Sequence, residues 1–144
     1  MADLLALEVV TPERLLVREE VTAVQVPATT GYLGILPGHA ALLAELGIGF
    51  LSYDAGGKRW FLAVHGGYLE ILANRVRLLA SGAERAEEIH VERAKAALQR
   101  AQEALFNASL GVDPAMALGA MARAQARLDA AAQKQTAPAV AGQA

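Results

Sequence analysis

The chain predicts a two-part architecture, β first and α second. Roughly the first eighty residues read as a sandwich or barrel of short strands, and the rest as an antiparallel pair of helices. Three observations carry this. Apolar residues alternate with a period near two in the N-terminal part. Glycine-, proline- and asparagine-rich turn signals break that part at short intervals. Beyond Gly82 the apolar spacing changes to three and four, the period of a helix face.

The strand elements follow in chain order. "VTAVQVPA" (Val21–Ala28) puts Val24 and Val26 on one face and Gln25 on the other. "GYLGILPGHAALLAELGIG" (Gly31–Gly49) contains Pro37-Gly38, whose second residue takes the positive backbone angle of a type II turn. Within it "AALLAEL" (Ala40–Leu46) favours a helix on propensity alone. Asp54-Ala55-Gly56-Gly57, Gly66-Gly67 and Asn74 are turn signals separating "RWFLAV" (Arg59–Val64), "YLEILA" (Tyr68–Ala73) and "RVRLLAS" (Arg75–Ser81).

The helices come next. Val91, Ala94, Leu98, Ala101 and Leu105 recur at three- and four-residue steps, predicting a helix over Glu87–Leu105 closed by Gly111. Asp113-Pro114 supplies an N-cap and a first-turn proline for a second helix through Leu118, Met121 and Leu128 to about Gln133. The shared seam is mostly alanine. A buried methylene contributes about 0.8 kcal/mol, so each alanine stabilises the seam by roughly 2 kcal/mol less than leucine would. The hairpin should dock closely but weakly. "TAPAVAGQA" from Thr136 reads as a frayed tail.

Composition excludes several functions. At 54% hydrophobic and 19% charged, the chain can bury a core, which a disordered chain cannot. No apolar run approaches the ~18–20 residues that span a bilayer, and "MADLLALEVV" has neither a secretory nor a mitochondrial leader pattern. With no cysteine, disulfides and thiolate metal sites are excluded. A net charge of −2 without a basic cluster argues against nucleic acid as a partner. His39, His65 and His90 stand far apart, with no zinc-protease or nucleophile-elbow motif around them. "GGK" (Gly56–Lys58) is no phosphate loop, because Ser52 replaces the first glycine and Arg59 the Ser/Thr.

Two constellations remain. The Gly31 corner is either a surface turn whose leucines fill the core or an apolar docking surface. On the helices, Arg93 and Arg100 share one face, and Arg123 and Arg127 share another. Solvated faces near Glu92, Glu103 and Asp129 are the default reading of such charges; four converging arginines would require an anion between them.

At these residues the chain resembles a known family, the epsilon subunit of the F-type ATP synthase. The likeness runs from about Leu5 to Gln133. It rests on "LEVVTPERLL", "VQVPATTGYLGILPGHAALL", "AVHGGYLEILANRVRLLA" and "IHVERAKAAL". It implies an N-terminal flattened antiparallel β-sandwich (residues 1–84), a C-terminal antiparallel two-helix hairpin (residues 85–135) and a disordered tail (residues 136–144). It also turns Ala40–Leu46 into strand, against propensity.

The family's role would make this chain a rotor subunit of the central stalk, on the cytoplasmic face of the bacterial inner membrane. Its partners would be the gamma subunit, the c-ring and, through an extended hairpin that blocks ATP hydrolysis, the alpha and beta catalytic subunits. It would insert nothing into the membrane and catalyse nothing alone. The docking residues implied are Tyr32, Leu33, Pro37, Gly38, His39 and Leu42, with Tyr32 standing where relatives often carry glutamate. The nucleotide-binding set is Glu84, Ile89, His90, Arg93, Ala94, Arg100, Arg123 and Arg127. His90 replaces the aspartate of nucleotide-binding members, so ATP is expected as a weak regulatory ligand or none, and no cofactor is required. Two other readings compete: a β-sandwich ligand-binding module that oligomerises through its helices, and a small hydrolase built from His39, His65 and an acid.

Overall fold

A computed structural model describes residues 3–136. Eight strands come first: β1 (Leu5–Val10), β2 (Leu15–Val21), β3 (Ala23–Ala28), β4 (Gly31–Ile35), β5 (Leu42–Ala55), β6 (Lys58–Leu72), β7 (Arg75–Ala80) and β8 (Ala83–Arg85). A 3-10 turn at Ala86–Glu88 leads into α1 (Val91–Phe106), a second at Ala108–Leu110 follows, and α2 (Pro114–Thr136) ends the described chain.

The strands run β2-β1-β7-β6-β5-β3-β4, with β8 added beside β6. All pairs are antiparallel except β1 with β7. The sheet folds over itself because β5 and β6 are long enough to serve both layers. Leu7, Val9, Leu69 and Leu78 meet Val26, Ile35, Leu51 and Leu62 in one core that excludes water. This is the flattened β-sandwich followed by two helices.

Gly66-Gly67 does not separate two strands, contrary to expectation. It kinks one continuous β6, with φ of 81° and 122°. Ahead of the kink Leu62–Val64 pair with β8, and after it Gly67–Leu72 pair with β7. A Cβ on Gly67 would run into Leu79 O and Ala80 Cα, so the crossing needs glycine. Ala40–Leu46 is not helical: β5 begins at Leu42, where cross-strand pairing with β6 overrides propensity. Val21 closes β2 instead of opening β3.

The turns follow their sequence signals. His39 N–H donates to Leu36 O (3.2 Å) across Pro37-Gly38, with Gly38 at φ 88°. Gly56-Gly57 joins β5 to β6 with both φ positive, as a two-residue hairpin requires.

The helices start and stop differently from the reading. Glu87 and Glu88 lie in the 3-10 turn, and α1 starts at Val91 because His90 caps it: Arg93 N–H donates to His90 Nδ1 at 3.2 Å. Gly111 is left-handed as expected, but it closes the Ala108–Leu110 turn, since α1 already ends at Phe106. Asp113 Oδ1 accepts from Ala115 N–H at 2.9 Å and so caps α2, which runs to Thr136. The tail beyond Thr136 lies outside the described residues.

Candidate functional site

The Gly31 corner is part filler and part surface. Leu33 and Leu42 pack against the core, half-buried, while Leu36 stands exposed. Tyr32 lies over Phe50 with ring centroids 5.3 Å apart, and its hydroxyl accepts from Phe50 N–H at 3.3 Å. Phe50 in turn contacts Phe61 at 6.2 Å, so three rings run from the corner to the floor beneath the hairpin. Pro37 is half-buried, and Gly38 N–H donates to Asn74 Oδ1 at 2.7 Å, which ties the corner to the β6–β7 turn. His39 Nδ1 bonds Ala40 O at 2.8 Å.

Beside this corner lies an apolar face that the sequence reading missed. Leu43, Tyr68 and Leu79 are 78%, 67% and 54% exposed. Tyr68 sits directly opposite Leu79 on β7 and Glu45 on β5. The signal was present in strand phase: Leu69 and Ile71 point inward, so Tyr68 and Leu72 occupy positions where alternation expects polar residues. Further across the same face Glu8 is bridged by Arg18 (3.1 Å) and Arg77 (3.2 Å). A 380 Å³ groove there is lined by Glu8, Arg18, Glu70 and Arg77 among others, with no aromatic side chain. That is not the aromatic pocket a ligand-binding module would need.

The second site is the junction of hairpin and sandwich. α2 lies against β5 and β6, and α1 packs on α2. Ala126 and Ala130, four apart on α2, rest on Phe61, Ala63 and Ala86. Ala117, Ala124 and Ala131 are buried at seven-residue spacing on α2, as are Ala94 and Ala101 on α1. Small side chains let these surfaces approach closely with little apolar area to hold them.

One polar cluster bridges the two parts. Arg127 Nε donates to Glu84 Oε1 at 2.6 Å, and His65 Nε2 lies 3.1 Å from the same oxygen. Burial would raise the Glu84 carboxyl, but the bonds from Arg127 and His65 outweigh it and hold it below the ordinary 4.5. His65 is held below its ordinary 6.5, chiefly by burial; Glu84 opposes this, and the Arg127 and Arg123 charges add to it. Neutral His65 therefore carries its proton on Nε2, where it faces the carboxylate. Its Nδ1 is buried without a hydrogen-bond partner among the described residues.

The linker into the hairpin is anchored nearby. Arg85 Nη2 donates to Leu16 O (2.9 Å) and Nη1 to the Tyr53 hydroxyl (3.3 Å), while Glu88 pairs with Arg14 at 2.9 Å.

The structure thus joins Glu84 to Arg127, and the Arg123 charge reaches the neighbouring His65. It leaves Arg93 and Arg100 exposed on α1, Ile89 half-buried against the alanine cradle, and Ala94 in the helix seam. Residues of this set are already engaged within the chain. Glu84 already neutralises Arg127, and His90 spends Nδ1 on capping α1, leaving an N–H donor where a carboxylate would accept. Among the described residues no cluster of three His, Asp or Glu side chains could hold a metal, and no helix is long and apolar enough to cross a membrane.

Comparison with known proteins gives a consistent picture. Residues 4–86 match the family described as ATP synthase, Delta/Epsilon chain, beta-sandwich domain, and residues 87–132 match its long alpha-helix domain. An ATP synthase epsilon chain of Solibacter usitatus is 62% identical over 134 residues, 93% of this chain and 100% of that one. One of Carboxydothermus hydrogenoformans is 52% identical over 105 residues, 73% and 78% of the two chains. A chain in the structure of the Euglena gracilis mitochondrial ATP synthase (OSCP, F1 and c-ring) superposes with a TM-score of 0.75 at 23% identity. That match covers 85% of this chain and 78% of the other, and at that identity it speaks to fold alone.

Proposed function

The chain belongs to the ATP synthase delta/epsilon chain family, and from that membership we propose that it works as a non-catalytic rotor subunit of the central stalk. Its sandwich joins the gamma subunit to the c-ring, at the cytoplasmic face of a bacterial inner membrane. Its hairpin swings out to reach the alpha and beta subunits and block ATP hydrolysis. The observation that carries this reading is the separation of two surfaces on one sandwich. The apolar face of Leu43, Tyr68 and Leu79 lies open, while the hairpin covers a different face through small alanines and one polar bridge.

An open apolar face with a salt-bridged rim suits a joint that transmits torque, because shape and burial fix register where mobile surface charges would slip. Tyr32, Leu33, Pro37, Gly38, His39 and Leu42 extend that joint toward the ring. Gly38 is locked to Asn74 there, so the corner moves with the sheet. Tyr32 brings no charge to that joint, and its ring and hydroxyl rest on Phe50 within the chain.

The alanine cradle makes the hairpin releasable. ATP, if it binds, engages the exposed Arg93, Arg100 and Arg123 weakly, because Glu84 and His90 are already committed within the chain. Calorimetry should therefore give a dissociation constant well above micromolar; a submicromolar value would overturn this point.

Co-purification tests the docking reading. The intact chain should bring down the gamma subunit and the c-ring, and Leu43→Glu should lose the gamma subunit while remaining folded. Retention of the gamma subunit by this variant would contradict the assignment of the face.

A further inference from the structure

The His65 imidazole is a buried titratable group that neither core packing nor docking accounts for. Its side chain is only 7% exposed. Gly82 lies against the ring, where an added Cβ would come 3.4 Å from its Cδ2. Glu84 on β8 faces Nε2, and the charges of Arg127 and Arg123 on α2 reach it from the hairpin side. On β5 the residue opposite is apolar Ile48. So both positive charges that act on it come from the hairpin.

We propose that His65 makes docking of the hairpin acid-sensitive, so that the hairpin leaves the sandwich as pH falls below neutrality. The proposal rests on the reading of the hairpin as a releasable arm.

The reason is where a second proton would have to go. Protonated His65 carries N–H on both nitrogens, and its Nδ1–H would be a buried donor with no acceptor among the described residues, while the Arg127 and Arg123 charges oppose the added positive charge. The stronger attraction to Glu84 offsets part of this, but burial dominates and the net direction is downward. When α2 lifts away, the charges of Arg127 and Arg123 leave with it and Glu84 is left to His65 alone. The released form therefore binds the proton more readily than the docked form. By linkage, docking is undisturbed above 6.5, the ordinary value for histidine, and weakens as pH falls below it. One linked proton changes the release equilibrium by up to about tenfold per pH unit, until docked His65 itself titrates. Glu84 acts in the same direction, but only once pH falls below its ordinary 4.5, so the two windows separate. Acidification would thus arm the hydrolysis block.

The test uses the isolated full-length chain. It contains no cysteine, so Thr30→Cys and Gln102→Cys, both at exposed positions, accept a fluorophore pair that reports the distance between sandwich and hairpin. From about pH 7.5 to 5.5 the released fraction should rise severalfold. His65→Gln, which keeps a donor for Glu84 and cannot titrate, should flatten the response. His90→Asn, which keeps an N-cap acceptor and removes the other imidazole near the hairpin, should leave it intact. A flat response in the parent chain, an unchanged response in His65→Gln, or loss of the response in His90→Asn alone would each overturn the proposal. Should His65→Gln release the hairpin at every pH, the imidazole resonances of the parent chain decide. His65 titrating in step with the distance change supports the proposal, and titrating out of step overturns it. Neither readout involves hydrolysis, so an ATP synthase indifferent to the hairpin would overturn the proposed function and leave this result standing.

Discussion

Arg127 on α2 and Glu84 on β8 form a 2.6 Å charge-assisted hydrogen bond that joins helix to sheet. They stand 43 residues apart, and each side chain is about 30% exposed. The bond therefore sits where water screens it partly and cannot replace it fully.

Removing it should loosen the hairpin without unfolding the sandwich. Arg127→Ala leaves Glu84 with His65 alone, at a cost on the order of 1–2 kcal/mol to docking. Hydrogen exchange should then show faster opening of α2 amides at unchanged protection in β1 and β7. Equal loss of protection in both parts would mean that they unfold together.

Overfilling the cradle should have the same outcome by a different cause. Ala130 is fully buried on Phe61 and Ala63, and Ala130→Leu adds three carbons where none fit. Overpacking of this kind typically costs about 1–3 kcal/mol. The released hairpin should be cut faster by protease, while the melting temperature of the strand core stays the same.

Glycines of β6 and the corner separate two kinds of constraint. Gly67→Ala meets both a positive φ and backbone of β7, so it should destabilise the fold by more than about 2 kcal/mol. Gly38→Ala has open space around it and meets backbone strain only, at a cost of about 1–2 kcal/mol. Denaturant midpoints order the two; the reverse order would show that β6 does not cross between layers at Gly67.

Much of this was legible because it is local. Period-two alternation, Gly56-Gly57, Pro37-Gly38 and Asp113-Pro114 carry their conformations in adjacent residues. Gly66-Gly67 misleads because a turn and a mid-strand kink place the same demand on two glycines; only the partners of β6 distinguish them. The α1 start misleads because histidine is an unusual N-cap, and Glu87-Glu88 look helical until Arg85 and Arg14 pin that segment as a 3-10 turn. The Glu84–Arg127 bridge and the ring of His65 depend on tertiary contact, which no spacing in the chain reveals.

The outer face should tolerate change that binding does not. Leu43→Glu or Tyr68→Ser should alter the stability of the free chain by no more than about 0.5 kcal/mol, as for most exposed positions. Each should weaken association with the gamma subunit by about tenfold or more if these side chains anchor it. Equilibrium binding to purified gamma subunit, beside a melting curve, separates the two effects.

The most direct test of a separable regulatory hairpin is ATP hydrolysis by the assembled synthase carrying a chain that ends at Ile89. A cut at Ser81 would remove β8 and the Arg85 anchor, whereas Ile89 keeps both. Normal incorporation with hydrolysis raised severalfold over the complex with the full-length chain is the expected result. Normal incorporation with unchanged hydrolysis would contradict it.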